Sequence, residues 1–230
     1  MDLSRLELVY GNKAKTLADK RVAVFGAGGV GGYVIEALAR CGVGAIDVFD
    51  NDSVSTSNIN RQIIALADNV GEPKTDAAVK RILSINPDCK AEGHFMFYAP
   101  DTADVVELSR FDFVADAIDF IPGKVELAAR CQEAGVPLVS SMGAGNKIHP
   151  ELLELADIYS TSVCPLARAM RSRLRKRGVE KLTVVYSREE ARRPGPSEDG
   201  KILPGSTAFV PSCAGLIMAS YIVNTLLGEK

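Results

Sequence analysis

A glycine-rich segment near the N-terminus has the residue types and spacing of a phosphate-binding loop. Gly26, Gly28 and Gly31 satisfy the pattern G-x-G-x-x-G, after an apolar run and before a helix-like segment, which is the context that this motif requires. Glycine keeps the turn tight, so backbone N–H groups at the start of the helix can approach phosphate oxygens. Asp50 follows about 20 residues later, placed to accept hydrogen bonds from ribose hydroxyl groups. These residues predict a nucleotide site and fit an NAD enzyme and an ATP enzyme equally well.

The polar segment after Asp50 favours ATP over NAD. It brings two cations and two amides to the same end of the predicted sheet: Asn58, Arg61, Gln62 and Lys74. A triphosphate carries about four negative charges that need Arg, Lys and a metal ion, whereas a dinucleotide needs few extra cations. Asp116 and Asp119, at the end of a later predicted strand, are candidate ligands for that metal ion. Taken singly, Arg61 fits a surface ion pair, Lys74 a solvated helix face and Asp119 a helix cap; their joint position at strand ends favours the ATP site.

The elements that must position these residues alternate between strand and helix. Apolar runs predict strands at residues 21–25, 45–50, 89–95, 111–119 and 137–145. Helical periodicity predicts helices at residues 34–42, 74–86 and 125–135. Continuous apolar strands alternating with helices are typical of a parallel sheet covered on both faces, whose ligands lie at the carboxyl ends of the strands. The predicted fold class is therefore α/β, with a Rossmann-like, doubly wound and mostly parallel sheet.

The alternation weakens in the last third of the chain. Further elements are predicted there: strands at residues 151–160 and 181–187, a basic helix at 164–178 and a functional loop at 191–206. A final apolar helix is predicted with Ser212 as its N-cap, an end near Leu227 and a stop at Gly228. We expect an ATP-binding domain over residues 1–150 and a C-terminal extension over residues 151–230, integrated with it in one domain.

Composition argues against several classes of protein. The 230 residues include 27 Lys and Arg against 29 Asp and Glu, so the chain as a whole is neither a polyanion binder nor an acidic tail. The five cysteines include no C-x-x-C pair, which argues against structural zinc and for a reducing cytoplasm. The N-terminal residues do not resemble a signal peptide. The uncharged residues 208–227 approach the length of a membrane span, but Pro211 and several polar residues interrupt them, so we expect a buried helix.

The charge is distributed unevenly. Residues 165–193 contain ten Lys or Arg and three Glu, a net charge of +7, which leaves −9 for the rest of the chain. An acidic body with one basic strip predicts contact with nucleic acid, through Arg168, Arg171, Arg173, Arg175, Lys176 and Arg177. The alternative is a solvated helix face whose Leu166, Met170 and Leu174 pack inwards, and both can hold because the cations lie on the other side.

Cysteine and histidine offer no clear catalytic group. Cys213 is predicted near a helix N-terminus, where a thiolate is favoured, and Cys164 precedes Pro165 in the basic segment. A covalent acyl intermediate is conceivable at either, but no partner is identifiable, so both are predicted to be buried structural thiols. His94 and His149 lack the spacing of a metal site.

Four segments together resemble one known superfamily. GAGGVGG, DNDSVSTSNINRQ, GEPKTDAA and DAIDFIPGK, in this order and spacing, resemble the ThiF, MoeB and ubiquitin-activating-enzyme superfamily over about residues 5–145. Its members adenylate a carboxylate with MgATP. With the basic segment and the closing helix included, the whole chain most resembles the branch formed by the tRNA threonylcarbamoyladenosine dehydratases.

The resemblance implies a role for each candidate residue. The cofactor-binding set is Gly26, Gly28, Gly29, Gly31, Asp50, Asp52, Asn58, Arg61, Gln62 and Lys74. In this set Asp50 would hold the ribose. The triphosphate would be held by Asn58, Arg61 and Lys74. Asp119 would bind Mg²⁺, and a monovalent cation is a further candidate cofactor. Arg5 would enter the site of a second subunit, which implies a homodimer, and the catalytic set is Arg5, Arg61, Lys74 and Asp119.

Three functions stay open. The first is ATP-dependent dehydration of threonylcarbamoyladenosine beside the tRNA anticodon, in which the threonyl carboxylate is adenylated and a carbamoyl nitrogen closes a ring. The second is adenylation of the C-terminal glycine of a ubiquitin-like sulfur-carrier protein, although the chain lacks the two C-x-x-C pairs typical of MoeB-like members. The third is an NAD-binding oxidoreductase, in which Arg61, Lys74 and Asp119 would have no role. The expected partner is tRNA in the first case and a ubiquitin-like or sulfur-transfer protein in the second.

Overall fold

One mixed sheet organises the chain in the computed structural model, which describes residues 1–193 and 204–229. Its strands are β1 (Arg21–Phe25), β2 (Ala45–Asp50), β3 (Lys90–Phe95), β4 (Phe113–Asp116), β5 (Leu138–Ser141), β6 (Leu153–Asp157) and β7 (Thr183–Ser187). The strand order is β3-β2-β1-β4-β5-β7-β6. All neighbouring strands are parallel except β6, which is antiparallel to β7. The predicted fold class is confirmed. Residues 194–203 of the predicted loop at 191–206 lie outside the described residues.

Helices cover both faces of the sheet. They are α1 (Ser4–Tyr10), α2 (Gly31–Arg40), α3 (Lys74–Ile85), α4 (Ile121–Ala134), α5 (Pro165–Lys176) and α6 (Val210–Leu226). Val22 and Val24 of β1 face one layer, where α2, α3 and α6 pack. Ala23 and Phe25 point to the opposite layer with α4, and α5 extends that layer over β7. This alternation of side chains along β1 is what a strand buried on both faces requires.

The last helix begins earlier than the sequence predicts. Ser212 lies inside α6, where its hydroxyl donates to the carbonyl groups of Ala208 and Phe209, and the N-cap is Phe209. The prediction that Ser212 is the N-cap is therefore wrong, because Pro211 is tolerated in the first helical turn, whose N–H groups have no partner within the helix. Gly228, with φ +68°, follows the helix as predicted. No helix in the described part of the chain is long and apolar enough to cross a bilayer.

Candidate nucleotide-binding active site

A cavity of about 380 Å³ opens at the carboxyl ends of the parallel strands. Ten sequence-predicted residues line it: Gly26, Gly28, Gly29, Asp50, Asp52, Asn58, Arg61, Gln62, Lys74 and Asp119. The structure therefore brings together nearly all of the predicted nucleotide site. Gly31 and Arg5 are not among the lining residues.

The loop between β1 and α2 is shaped by close backbone contacts. Gly26 has φ +92°, and a Cβ on it would lie 2.6 Å from the carbonyl oxygen of Ala117. A Cβ on Gly31 would lie 1.7 Å from the carbonyl oxygen of Gly26. Both positions therefore exclude any larger residue, and Gly31 contributes by letting the loop fold onto the start of α2 rather than by lining the cavity.

Two carboxylates fix the floor of the cavity at the end of β2. Asp50 accepts hydrogen bonds from the backbone N–H groups of Ala27 (2.6 Å) and Asp52 (2.8 Å), so it ties the glycine loop to β2. Asp52 accepts a hydrogen bond from the Nζ of Lys74 at 2.7 Å. Lys74 is only 5% exposed and is the first residue of α3. A solvated helix face does not describe it: its charge is buried at the cavity, where low dielectric strengthens its attraction for phosphate.

The segment from Asn58 to Gln62 places three further polar groups at the cavity. Asn58 is buried, and its Oδ1 accepts a hydrogen bond from the backbone N–H of Ser55, so it also holds the local turn. Arg61 donates to the carbonyl of Ser57 (2.8 Å) and to Oδ1 of Asn60 (2.9 Å), two neutral oxygens that leave its charge unneutralised. Gln62 is buried, and its Oε1 has no hydrogen-bond partner among the described residues. A buried acceptor without a partner indicates a ligand that donates to it.

The two aspartates near the end of β4 have different roles. Asp116 is fully buried, with its Oδ2 2.9 Å from Nζ of Lys124 and 2.6 Å from Oγ of Ser140. The prediction that Asp116 is a candidate metal ligand is wrong, because an ammonium group already neutralises it inside the core. Asp119 is exposed and lines the cavity. It is not a helix cap either, since α4 begins after Phe120 and has no side-chain cap.

A second group of possible metal ligands lies away from the cavity. The ligand atoms of Asp47, Glu92 and His94 lie within 4.8 Å of one another. Arg21, however, donates to both oxygens of Asp47 and to Glu92 at 2.7–2.8 Å. This arginine supplies the positive charge that a metal ion would bring, so the group is an ion-pair network that ties β1 to β2 and β3.

Arg5 is separated from the cavity of its own chain. It is exposed on α1, a helix without buried residues whose Leu8 and Val9 are 79% and 75% exposed. Whether Arg5 completes the site of a second subunit stays a prediction.

The predicted basic strip lies on α5, and its six cations divide into two groups. Three contact other elements: Arg171 donates to Thr161, Arg177 pairs with Glu126 at 2.7 Å, and Arg175 lies over the ring of Tyr159 at 5.0 Å. The others are exposed and form no ion pair with a described carboxylate: Arg168, Arg173 and Lys176. The opposite face packs inwards through Ala167, Met170 and Leu174, with Leu166 half-buried. The strip is therefore an outer face with part of its charge already engaged.

Several cavity residues were missed from the sequence. They are Asn51, Met96, Phe97, Tyr98 and Pro211. Glycine at 143 and 145 predicts a backbone that passes close to the substrate side of the adenylate, and Gly145 lines the cavity. Pro204, Gly205 and Ser206, which also line it, fall within the predicted functional loop at 191–206. Cys164 is buried and Cys213 half-buried, and neither lines the cavity.

The sheet and the cavity define an α/β nucleotide-binding protein whose phosphate loop follows its first strand. The chain matches the model of the ThiF family over residues 3–230 and belongs to that family. The predicted resemblance is thereby confirmed.

Two relatives cover almost the whole chain. The chain is 42% identical to the tRNA threonylcarbamoyladenosine dehydratase of Bacillus subtilis (strain 168), over 98% of this chain and 94% of that protein. It is also similar to the crystal structure of E. coli tRNA N6-threonylcarbamoyladenosine dehydratase in complex with ATP. That match has a TM-score of 0.88 and 34% identity, and covers 98% of this chain and 93% of the other. A third relative, the SAMP-activating enzyme E1 of Haloferax volcanii, is 39% identical over 54% of this chain and 45% of that protein.

Proposed function

We propose that this protein catalyses the ATP-dependent dehydration of threonylcarbamoyladenosine in tRNA. The observation that carries the proposal is a cavity lined by the glycine loop, Arg61 and Lys74, in a chain that is 42% identical, over nearly its full length, to such a dehydratase. In the first step the threonyl carboxylate attacks the α-phosphorus of ATP and pyrophosphate leaves. The carbamoyl nitrogen then attacks the activated carbonyl, AMP leaves, and the net change is the loss of one water from the nucleoside.

The cavity residues supply binding and charge neutralisation for the first step. Asp50 accepts hydrogen bonds from the ribose, and the backbone of the glycine loop faces the phosphates. Arg61 and Lys74 neutralise the charge that develops on the departing pyrophosphate, and the burial of Lys74 makes its contribution large. An NAD-binding oxidoreductase would leave both cations without a role.

Asp119 is the residue that would hold Mg²⁺. Its carboxylate is exposed at the cavity and offers the hard oxygen ligand that Mg²⁺ prefers. Bound there, the ion would neutralise phosphate charge together with the two cations.

The direct test is mass spectrometry of nucleosides from threonylcarbamoyladenosine-bearing tRNA after incubation with the protein and MgATP. We expect a product lighter by one water that forms only with ATP. An unchanged nucleoside, with intact tRNA and demonstrated ATP binding, would overturn the proposal. The second candidate function, suggested by the E1 relative, would then be tested with a ubiquitin-like protein ending in Gly-Gly, through formation of its adenylate.

We expect the protein to act in the cytoplasm. We propose that it binds tRNA through the exposed cations of α5. Arg173→Glu is expected to weaken tRNA binding, because one phosphate contact becomes a repulsion. The slope of the logarithm of tRNA affinity against the logarithm of salt concentration should become shallower by about one to two, the number of ions no longer released. ATP binding should not change. Lys90→Glu, the same charge change at an exposed position on β3, is the control. Equal tRNA affinity of the two variants would contradict this assignment.

A homodimer with Arg5 acting across subunits completes the proposal. The exposed Leu8 and Val9 on α1 give this helix an apolar surface suited to a partner. Arg5→Ala and Arg61→Ala should each be inactive, but mixed dimers would contain one intact site. Mixing equal amounts should therefore restore about a quarter of the wild-type rate. No recovery, with subunit exchange demonstrated, would place Arg5 outside the partner's site.

A further inference from the structure

The loop after β5 contains an unusual backbone conformation at the cavity. Asn146 has φ +59°, and Val163 is the other described non-glycine residue with a positive φ. Asparagine tolerates this conformation better than most residues, but it still costs free energy. Strained positions of this kind persist where surrounding contacts demand them.

Three hydrogen bonds hold Asn146 to a distant part of the chain. Its backbone N–H donates to the carbonyl of Gly205 at 2.8 Å, and its side-chain Oδ1 accepts from the backbone N–H of Gly205 at 2.6 Å. Its carbonyl accepts from the backbone N–H of Arg192 at 2.8 Å. Asn146 thus satisfies both backbone groups of Gly205 while its own backbone is in the left-handed conformation.

The segment held in this way forms one wall of the cavity. Gly145, Pro204, Gly205 and Ser206 all line it. Gly145 packs so closely that a Cβ on it would lie 3.3 Å from Cβ of Pro204. At the other edge, Nδ2 of Asn60 donates to the carbonyl of Ser206 at 3.1 Å, while Oδ1 of Asn60 accepts from Arg61 at 2.9 Å. The wall is thus hydrogen-bonded to Asn146 at one edge and to Asn60, which also contacts Arg61, at the other.

The loop that carries Gly145 and Asn146 follows β5, three strands away from β2, at whose end Asp50 lies. The strands run in the order β2-β1-β4-β5, so the ends of β2 and β5 are about 14 Å apart, three strand spacings. If the ribose lies at Asp50 and the phosphates lie over the glycine loop after β1, the space next along the sheet is at the ends of β4 and β5. We expect the carboxylate that attacks the α-phosphorus to bind there. The wall of Gly145 and Pro204–Ser206 borders that space.

We propose that Asn146 is a positioning residue: by holding Gly205 it sets the wall against which the carboxylate-bearing nucleoside is placed. This inference rests on the proposed function and assigns the acyl side of the same cavity. Asn146 is not among the residues that line the cavity, so we expect its effect to fall on use of the nucleoside substrate and not on nucleotide affinity.

The test uses three variants with graded losses. Asn146→Gly keeps the left-handed backbone and removes only the side-chain bond to Gly205. We expect KM for threonylcarbamoyladenosine-bearing tRNA to rise about fivefold to tenfold, the equivalent of one hydrogen bond, with the Kd of ATP within twofold of wild type. Asn146→Asp keeps the acceptor and should restore KM to within twofold. Val163→Gly, which places glycine at the other strained position, is the matched control and should leave KM unchanged.

Hydrogen exchange supplies a readout that does not depend on catalysis. The amide of Gly205 should exchange faster in Asn146→Gly than in wild type and return to the wild-type rate in Asn146→Asp. If wild-type protein leaves the nucleoside unchanged, the proposed function fails, while this exchange still reports whether Asn146 holds the wall. An unaltered KM in Asn146→Gly, or an equal loss of ATP affinity, would overturn the positioning role.

Discussion

Two buried lysines differ in their surroundings. One is paired with the last residue of β4, and the other lies in the loop after the neighbouring strand β5. Lys124, 0% exposed, has its Nζ 2.9 Å from the carboxylate of Asp116 and donates to the carbonyl of Ile118 at 3.1 Å. Lys147, 3% exposed, has no hydrogen-bond partner for its Nζ among the described residues. The burial of one ammonium is therefore compensated by an ion pair, whereas that of the other is not compensated by a hydrogen bond from the described residues.

The two lysines therefore differ in their effect on the folded protein. Lys124 and Asp116 together fix the turn at Ile118, whose N–H also donates to Asp116, and this turn leads directly to Asp119 at the cavity. Burial lowers the pKa of Lys147, and the fields of Cys164 and Glu189 oppose that shift only in part. The Lys124–Asp116 ion pair supports the turn that leads to the site, whereas Lys147, in the loop that carries Asn146, is buried without a hydrogen bond to its Nζ from the described residues.

The largest expected effect is on the compensated pair. Lys124→Met leaves the carboxylate of Asp116 buried without its cation, so the free energy of unfolding should fall by about 3–5 kcal/mol. Denaturant unfolding measures it. Adding Asp116→Asn removes the stranded charge, its amide oxygen still accepts from the N–H of Ile118, and its amide nitrogen can donate to Oγ of Ser140, so the double variant should recover part of the loss. A single variant as stable as wild type would remove the contrast between the two lysines.

Sequence reasoning predicted the strands, and the proximity of the proposed nucleotide-binding residues to one another, because both follow local rules. Apolar β-branched runs and glycines mark β1 and β2, and the carboxyl ends of parallel strands meet, which brings Asp50 and Lys74 together. It could not separate Asp116 from Asp119. Both stand at the end of one strand, and only the side chain of Lys124, eight residues after Asp116, decides which of them is neutralised in the core.

The next largest effect tests the division between these aspartates. Asp119→Asn should lower ATP-dependent turnover about 100-fold, because it removes the carboxylate that we propose would hold Mg²⁺, while the free energy of unfolding stays within about 0.5 kcal/mol of wild type. Turnover and denaturant unfolding of the same preparation provide the comparison. A large loss of stability instead would mean that the exposed carboxylate, like Asp116, supports the fold.

The C-terminal part was predicted less well for a physical reason. Its contribution to the cavity depends on contacts between residues far apart in sequence, such as Asn146 with Gly205 and Asn60 with Ser206. The pattern around Ser212 suggested a cap, but the geometry of Pro211 let the helix start earlier. The cations of α5 were recognised as a group, yet their partners, such as Glu126 for Arg177, come from other elements.

The smallest effect concerns the uncompensated lysine and has the opposite sign. Lys147→Met removes an ammonium buried without a hydrogen bond, so it should stabilise the protein at pH 7 by about 1 kcal/mol. Because burial lowers the pKa of Lys147 below its ordinary value of 10.5, the folded wild type releases this proton before the unfolded chain does. Its stability therefore rises as the pH approaches 10.5, and the advantage of the variant shrinks over that range.

Denaturant unfolding of wild type and Lys147→Met at pH 7 and pH 10 measures this change. Lys90→Met, at an exposed position on β3, is the matched control for replacing a lysine by methionine. A Lys147→Met variant destabilised equally at both values would mean that the ammonium is compensated in solution. Lys124 and Lys147 would then have the same effect: each buried lysine would stabilise the loop that follows its neighbouring strand.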